Sequence, residues 1–343
     1  MTWWQILLFP FAIIYDLITR FRNHLFDIGS NPSFEFEANV ICVGNLAVGG
    51  TGKTPMVMYL MDHFISQNMQ IATLSRGYGR KTAGFIEVGE KDTPRAVGDE
   101  PLMLFNHYNH SNVSVNVGEN RAMSIPEILW EHPKNDVIIL DDGYQHRTVI
   151  PTFSVLLTTF EKPFYSDYVL PSGTLRECRK NANRANAIVV TKCPPHAEEA
   201  IPDMRAELSK WTDAPVFFTE IHYGALVPLF KESKDPITKV LLVTAIANDK
   251  SLIEFLSSRY EVVGHLRYRD HHDYKKKDIS KMCECLNQGE ITLITTEKDA
   301  VKLSRFDELR HFSAFYMPIS MKFIEGEHDF LSLIDESLKE YQR

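Results

Sequence analysis

Cysteine and net positive charge are both scarce in this sequence. Its five cysteines are scattered and odd in number, a pattern that argues against a disulfide framework and fits a reducing compartment. Cys283 and Cys285 have no second Cys or His pair at zinc-binding spacing, so no zinc site is predicted there. Lysine and arginine total 37 against 45 aspartates and glutamates, a formal net charge of -8. That balance argues against a nucleic-acid-binding protein.

The sequence also lacks an uninterrupted apolar run as long as a membrane span. The stretch Trp3–Ile18 is strongly apolar, but Pro10 and Asp16 interrupt it, and a span needs about 20 apolar residues. No basic residue precedes the stretch and no Ala-x-Ala-like site follows it, which argues against a cleaved signal peptide. Two tryptophans, with Arg20 and Arg22 beyond the run, predict an interfacial helix that dips into one leaflet. The alternative is a helix packed on the protein's own core.

A glycine-rich segment, NLAVGGTGKTP, lies between a predicted strand and a predicted helix. Glycines at such a junction let successive backbone N–H groups face an anion, and the start of the helix adds further unpaired N–H groups. Lys53 would reach the β- and γ-phosphates of a nucleotide, and the Thr54 hydroxyl would bind Mg²⁺. The strict pattern has glycine where Ala47 stands, and a residue this small still fits. The predicted nucleotide-binding residues are Ala47, Val48, Gly49, Gly50, Thr51, Gly52, Lys53 and Thr54.

Short apolar, β-branched segments that favour strands alternate with segments of helical periodicity along the rest of the chain. Strands are predicted at 40–43, 71–74, 113–117, 137–140, 153–157 and 187–190, and later at 216–220, 225–229, 240–244, 262–263 and 291–295. We therefore predict an α/β fold with a P-loop NTPase-type, mainly parallel sheet and helices on both faces. The predicted domains are an N-terminal membrane-associated helix (1–30), a phosphate-loop domain (31–222) and a smaller α/β domain with connecting strands (223–343).

A pair of adjacent carboxylates follows the predicted strand at 137–140. Asp141 and Asp142 open the segment DDGYQHR, and buried acids need a counter-charge or a metal. Beside a phosphate loop, one of them is expected to hold Mg²⁺, directly or through water. A solvated turn is the alternative. Gln145 and His146 extend the same segment toward a nucleotide or an acceptor.

Other charged and aromatic side chains follow neighbouring predicted strands. Because the carboxyl ends of parallel strands share one edge of the sheet, Arg76 and Tyr78 in LSRGYGRK should meet Arg121 in VNVGENR. Such groups suit a phosphorylated, sugar-like or lipid acceptor. Arg176, beside Glu177, opens a further basic run, which is either a solvated face or a contact for phosphates or anionic lipid.

Acidic residues and histidines form two further candidate groups. Asp99 and Glu100 in VGDEP precede a predicted helix, and by themselves they indicate no more than a complement to the helix dipole. In the smaller domain, RYRDHHDY clusters His271 with acids and arginines. A metal site is conceivable there, but we favour a group that faces the phosphate-loop domain across a cleft. The segment TTEKDAVKL is interpreted as mainly structural.

The ordered set of segments resembles one family. NLAVGGTGKTP, SRGYGRK, VGDEP, DDGYQHR, LPSGTLRE, RDHH and TEKDAVKL, in that order, resemble the tetraacyldisaccharide 4′-kinases, the lipid A 4′-kinases of Gram-negative bacteria. The resemblance implies transfer of the ATP γ-phosphate, with Mg²⁺, to the 4′-hydroxyl of an acylated disaccharide 1-phosphate. It also implies a position on the cytoplasmic face of the bacterial inner membrane, in contact with membrane lipids through the N-terminal helix. We further expect a monomer.

The resemblance also implies roles for individual residues. Asp99 would be the catalytic base, assisted by His271, and Asp141 and Asp142 would hold Mg²⁺. Lys53 and Arg121 would act on the phosphates and on the charge of the transition state. The candidate substrate residues are Arg76, Tyr78, Glu100, Gln145, His146, Arg176 and Glu177.

Two other functions remain open from the sequence. One is a phosphate-loop ATPase or switch protein without a phosphorylated acceptor, and the other is a soluble small-molecule kinase whose N-terminal helix is an ordinary packed helix. The segment AIVVTKC is similar to the base-reading loop of GTPases, but Pro194 stands where that loop has its aspartate. Guanine specificity is therefore not supported.

Overall fold

The computed structural model describes residues 3–108, 112–231 and 238–339. The other residues of the predicted domain ranges lie outside the described part. The helices are α1 (Trp3–Asp27), α2 (Lys53–Ser66), α3 (Pro94–Val97), α4 (Asp99–Tyr108), α5 (Arg121–Glu131), α6 (Ile201–Leu208), α7 (Lys250–Ser257), α8 (Lys276–Leu286), α9 (Glu297–Leu303) and α10 (Glu327–Ser337). The strands are β1 (Asn39–Asn45), β2 (Ile71–Ser75), β3 (Ile86–Glu87), β4 (Val113–Val117), β5 (Val137–Asp141), β6 (Phe153–Thr159), β7 (Ala187–Thr191), β8 (Val216–Tyr223), β9 (Val227–Pro228), β10 (Lys239–Thr244), β11 (Glu261–Arg267), β12 (Ile291–Thr296), β13 (Ala314–Met317) and β14 (Ile319–Glu325).

The larger sheet has nine strands in the order β14-β8-β7-β6-β1-β5-β2-β4-β3. The seven inner strands pair in parallel, and β3 and β14 pair antiparallel at the two edges. Strand β1 is buried along its whole length, since Ile41 packs on one face beneath α2 and Val40 packs on the other beneath α5. Covered faces on both sides explain why its sequence is apolar from Val40 to Val43. The predicted α/β fold is confirmed.

The smaller sheet has five strands in the order β11-β10-β12-β13-β9. The chain leaves the larger sheet through β8 and returns to it through β14, which pairs with β8 at Ile319 and Tyr223. Phe330 and Ile334 of α10 then join the core beneath α2. Strand β14 covers the edge of β8, and α10 buries apolar side chains beneath α2, although both lie in the range 223–343 predicted for the smaller domain. We propose that residues 319–339 belong with the phosphate-loop domain.

Helix α1 runs without interruption through Pro10 and Asp16. The Asp16 carboxylate lies 2.7 Å from the Arg20 guanidinium one turn later, which neutralises its charge on the helix surface. Among the described helices, α1 alone is long and apolar enough to cross a membrane, a test that core helices and signal sequences also pass. One face packs on the protein through Tyr15 and Asn23, and the opposite face exposes large apolar side chains. The structure thus combines an exposed apolar face with partial packing on the core.

Candidate active site

The glycine-rich segment forms the loop between β1 and α2. Gly49 (φ 111°) and Gly52 (φ 85°) adopt left-handed backbone conformations, which side chains disfavour. Gly52 immediately precedes Lys53, the first residue of α2, so unpaired N–H groups of the first helical turn border the loop. Beneath it, the Asn45 amide donates to the Thr51 hydroxyl at 2.7 Å. All the predicted nucleotide-binding residues lie in this loop or at the start of α2: Ala47, Val48, Gly49, Gly50, Thr51, Gly52, Lys53 and Thr54.

Asp141 ends β5, directly beside β1 in the sheet. It is 4% exposed, and its Oδ1 has no hydrogen-bond partner among the described residues. Burial, together with the negative charge of Glu100, raises the pKa of Asp141 to about 7. A buried carboxylate with an unpaired oxygen is an unfavourable element of a fold unless a cation completes it. The structure therefore places an unpaired carboxylate oxygen at the position where the sequence predicts a metal ligand.

Asp142 is neutralised by cationic side chains, in contrast to its neighbour. Both of its carboxylate oxygens lie 3.0 Å from Nη1 of Arg176, and Oδ1 lies 3.6 Å from Nζ of Lys53. Burial favours the neutral acid, but Lys53 and Arg176 hold the pKa of Asp142 below its ordinary value. Gln145 adds to this group, because it accepts from Arg176 at 3.0 Å and donates to the Asn45 carbonyl at 2.8 Å.

Arg121 is a buried cation at the start of α5, with 1% of its surface exposed. Its Nη1 donates to the Gly118 carbonyl, and its Nη2 lies 3.4 Å from the Asp141 carbonyl oxygen. Burial lowers the pKa of Arg121 to about 10 against the opposing effect of the nearby carboxylates, so the side chain stays charged at neutral pH. Arg76, exposed beyond β2, acts electrostatically on Arg121 and His146. Arg76 and Arg121 follow the neighbouring parallel strands β2 and β4, at the same edge of the sheet.

His146 is held in its neutral form. Burial, and then the charge of Arg121, lower the pKa of His146 to about 4 from the ordinary 6.5. Protonation between these two values therefore occurs in the unfolded chain and not in the native protein, so it favours unfolding.

We expect His146→Gln to gain stability relative to the wild type on acidification. The urea midpoint of the variant minus that of the wild type should rise between about pH 7.5 and about pH 5, a difference from which the other titrating groups cancel. His328→Gln is a suitable control, because the His328 side chain is 94% exposed. Equal pH dependence in the wild type and His146→Gln would contradict the prediction.

A residue pair from both parts of the chain lies beside this edge. Asp99 begins α4 and is 7% exposed, and its Oδ2 lies 3.1 Å from Nδ1 of His271. His271 lies between β11 and α8 with φ 57°. The Tyr78 ring, beyond β2, lies 4.7 Å from the imidazole ring. The RDHH segment thus faces the phosphate-loop domain. Next to Asp99, the negative charge of Glu100 raises the pKa of Asp141.

Comparison with known proteins identifies the family to which this arrangement corresponds. Residues 4–339 match the family model described as tetraacyldisaccharide-1-P 4′-kinase, LpxK. The chain belongs to this family. Its relatives include the tetraacyldisaccharide 4′-kinase of Flavobacterium johnsoniae, which is 40% identical over 97% of both chains. That of Cytophaga hutchinsonii is 37% identical over 97% of this chain and 96% of its own.

A solved structure of the LpxK family has the same fold. The crystal structure of the "apo" form of LpxK from Aquifex aeolicus in complex with ATP is similar to this chain with a TM-score of 0.76. The two share 28% sequence identity, and the match covers 98% of this chain and 99% of the other.

Two lysines of this 4′-kinase family member contact the Asp99–His271 pair, and the sequence analysis did not single them out. Nζ of Lys302 lies 3.3 Å from Oδ2 of Asp99, and Nζ of Lys298 lies 3.1 Å from Nε2 of His271 and 3.0 Å from Glu100. Both come from α9, within the segment TTEKDAVKL. Their spacing of four residues, which places side chains on one helical face, was the available signal.

Glu177 is the predicted substrate residue that does not join the others. It is fully buried, and its Oε2 accepts hydrogen bonds from Asn23 of α1, Asn181 and Arg184 at 2.7–2.9 Å. These contacts join α1 to the segment that follows Arg176. They indicate a structural role in attaching α1 and offer no support for contact with substrate.

Proposed function

We propose that the protein transfers the γ-phosphate of ATP to the 4′-hydroxyl of a tetraacyldisaccharide 1-phosphate, a step of lipid A biosynthesis. The observation that carries this proposal is one edge of a parallel sheet that combines a phosphate loop, a carboxylate pair, a buried arginine and an Asp–His pair. Family membership over residues 4–339 and the named 4′-kinase relatives support it.

The groups of the phosphate loop suit the binding of ATP. Backbone N–H groups between Gly49 and Lys53 would surround the phosphates, and the ammonium group of Lys53 would contact the β- and γ-phosphates. Arg121 is fixed, charged and adjacent to Asp141. It would stabilise negative charge on the transferred group at little cost of reorganisation.

The donor set also fits Mg²⁺. The unpaired, buried Oδ1 of Asp141 is an oxygen ligand of the type that Mg²⁺ prefers, and Thr54 and Asp142 complete the set that would hold the ion. Bound there, Mg²⁺ would neutralise phosphate charge. Because Arg176 engages both oxygens of Asp142, we favour Asp141 as the direct carboxylate ligand. Asp142 would hold the ion only through water while it orients Lys53.

Asp99 is our proposed acceptor for the proton of the sugar hydroxyl. His271 and Lys302 both contact its Oδ2, and no donor among the described residues contacts Oδ1. Burial favours the neutral acid, but His271 and the two lysines of α9 hold the pKa of Asp99 well below its usual range. Asp99 is therefore ionised and suited to orient the hydroxyl, which suffices for the loose transition state of phosphoryl transfer.

The remaining polar groups suit an anionic sugar acceptor. Arg76 and Tyr78 are exposed at the rim of the site, where a disaccharide 1-phosphate could contact a guanidinium and an aromatic ring. His146 is neutral at physiological pH and offers one donor and one acceptor. We assign Glu100 to the support of Lys298, and Gln145 and Arg176 to the support of Asp142.

We propose that α1 places the protein at the cytoplasmic face of the bacterial inner membrane as a monomer. The side chains of Trp3, Leu7, Ile14 and Phe21 are 55–79% exposed, and the last three recur every seven residues along the helix. An apolar helix face next to a lipid-modifying site is suited to lie in the membrane interface.

Leu7→Asp/Ile14→Asp/Phe21→Asp should lower co-sedimentation with phosphatidylethanolamine–phosphatidylglycerol vesicles by about tenfold or more, because three apolar side chains lose their burial in lipid. The variant retains Tyr15 and Asn23, which attach α1 to the protein. Val263→Asp, which alters an exposed apolar residue of β11, is the matched control. Unchanged sedimentation of the triple variant would place the membrane contact elsewhere.

The reaction itself is tested by thin-layer analysis of ³²P transfer from γ-labelled ATP to purified tetraacyldisaccharide 1-phosphate. We expect a labelled lipid product that depends on both Mg²⁺ and the acceptor. Release of inorganic phosphate without a labelled lipid would indicate an ATPase or switch protein instead. Labelling of water-soluble sugars alone would indicate a soluble small-molecule kinase.

A further inference from the structure

We propose that Lys298 and Lys302 are positioning residues that fix His271 as its Nδ1–H tautomer and leave Oδ1 of Asp99 as the accepting oxygen. Both lysines lie on α9, the helix that follows β12 of the smaller sheet. Residues of the smaller α/β domain would therefore set the tautomer of His271 and the orientation of the Asp99 carboxylate. The inference rests on the proposed function in one respect, namely that Asp99 and His271 serve phosphoryl transfer.

The contacts of His271 determine its tautomer. An ammonium group donates hydrogen bonds and cannot accept them, so Nε2 must accept from Lys298 at 3.1 Å. The ring proton is therefore on Nδ1, where it donates to Oδ2 of Asp99 at 3.1 Å. A doubly protonated imidazole would place two donors against each other at Nε2. Lys298 is held for this contact by Glu100 at 3.0 Å and Asp270 at 3.4 Å.

The contacts of Lys302 determine which oxygen of Asp99 is available. Its side chain is 3% exposed, and Nζ lies between Oδ2 of Asp99 at 3.3 Å and Oδ1 of Asp299 at 3.1 Å. Asp299 is fixed in turn by the Ala245 N–H and the Thr296 hydroxyl, both at 2.8 Å. A buried ion pair this well anchored favours one orientation of the Asp99 carboxylate.

Together the two lysines counter the acids that face the pair. The charged and titratable groups around Asp99 include Glu100 from α4, Asp270 and His271 from the loop after β11, Lys298, Asp299 and Lys302 from α9, Tyr78 against the His271 ring and Tyr274 against Lys302. Lys302 helps to hold down the pKa of Asp99, so removing this buried cation would favour uptake of a proton by Asp99. A protonated Asp99 could no longer accept a proton from the hydroxyl.

The tautomer is tested by ¹⁵N NMR of the histidine rings in the full chain, with the His271 signals assigned by comparison with His271→Gln. We expect the Nδ1–H pattern in the wild type. In Lys298→Met we expect Nε2 to gain a proton while Nδ1 keeps its own, because Nδ1–H still faces Oδ2 of Asp99 and Oδ1 of Asp270 lies 3.9 Å from Nε2. Lys298→Arg should keep the wild-type pattern. Lys322→Met, at an exposed lysine paired with Glu220, should change nothing. An Nε2–H pattern in the wild type, or no change in Lys298→Met, would overturn the assignment.

The link to catalysis is tested by a double-mutant cycle between Lys302→Met and Asp99→Asn. Lys302→Met alone should lower kcat by about tenfold or more, with ATP affinity changed by less than about threefold. In the Asp99→Asn background it should lower kcat by less than about threefold, because the carboxylate that it positions is already lost. Equal losses in both backgrounds would show a merely structural lysine and overturn the proposal.

The two tests separate this inference from the proposed function. If the wild type does not phosphorylate the lipid, the proposed function fails, while the NMR spectra still decide the tautomer and its dependence on Lys298. If Lys302→Met does not fold, Lys298→Met replaces it in the same cycle against Asp99→Asn. If the wild type is active and neither lysine affects kcat, the inference alone is wrong.

Discussion

Lys53→Ala is expected to lower kcat/KM for phosphoryl transfer by about a hundredfold or more. An ammonium group that contacts the transferred phosphate contributes most where negative charge develops, and loss of one such contact typically costs about 3 kcal/mol. The fold should be retained, because Lys53 is not part of the apolar core and its neighbour Asp142 keeps the contact with Arg176. Steady-state kinetics with the lipid acceptor measures the effect, and thermal unfolding checks the fold.

Two companion variants make this result specific. Lys53→Met retains most of the length of the side chain without its charge, so it should be nearly as impaired as Lys53→Ala. Lys210→Ala removes an exposed lysine that pairs with Glu207 on the surface, and it should act like the wild type. Turnover within about threefold of the wild type in Lys53→Ala, at unchanged ATP affinity, would contradict the role of the loop.

The phosphate loop and the parallel sheet were predictable because their signals are local. Glycines with left-handed backbone conformations, an apolar β1 and the periodicity of α2 lie within about two dozen consecutive positions, and each depends on backbone sterics or burial. Asp141 and Arg121 were predictable for a related reason, since every parallel strand delivers its following residues to the same edge of the sheet.

Features that depend on distant pairing were not predictable in the same way. Nothing near β14 indicates that it returns to the edge of β8, because an amphipathic strand can pair with either sheet. Glu177 is adjacent to the site residue Arg176, yet its neighbours in space are Asn23 and Asn181. Adjacent residues diverge here because the chain turns between them.

The lysines of α9 show a third kind of limit. In sequence, the acids and lysines of TTEKDAVKL suit the ends of a short helix, and Thr296 does cap α9 by accepting from the Asp299 N–H. The same helix also places Lys298 in contact with His271 and Lys302 in contact with Asp99. The capping pattern already accounts for the composition, so the four-residue spacing of the two lysines shows that they share a helical face but does not show what that face contacts.

Asp99→Asn and His271→Gln are each expected to lower kcat by roughly 10²–10⁴-fold, the usual span for loss of a general base. The structure favours Asp99 over Asp142 as the base, because Arg176 and Lys53 engage Asp142, whereas no described donor contacts Oδ1 of Asp99. Asparagine retains the shape of the carboxylate, so the loss would report its charge. ATP affinity should change by less than about threefold, since neither side chain contacts the phosphate loop.

The neighbouring histidine supplies a matched control for this pair. His272 forms a similar contact, with Nε2 at 2.9 Å from Oδ2 of Asp278. Asp278 lies on α8 of the smaller domain, so this contact does not involve Asp99. His272→Gln should therefore leave kcat close to that of the wild type. A loss as large as that of His271→Gln would mean that the loop conformation, and not the imidazole of His271, is what the reaction requires.

The double variant Asp99→Asn/His271→Gln decides whether the two residues act together. If His271 works by orienting Asp99, as the 3.1 Å contact between Nδ1 and Oδ2 indicates, the double variant should be little slower than the slower single variant. Fully additive losses would show that each residue acts on the substrate independently. A mild effect of Asp99→Asn beside an inactive Asp142→Asn that still binds Mg-ATP would move the base to Asp142. In that case Asp142 would have to leave Arg176 before it accepts the proton. Arg176→Ala, which releases the carboxylate, should then change kcat strongly.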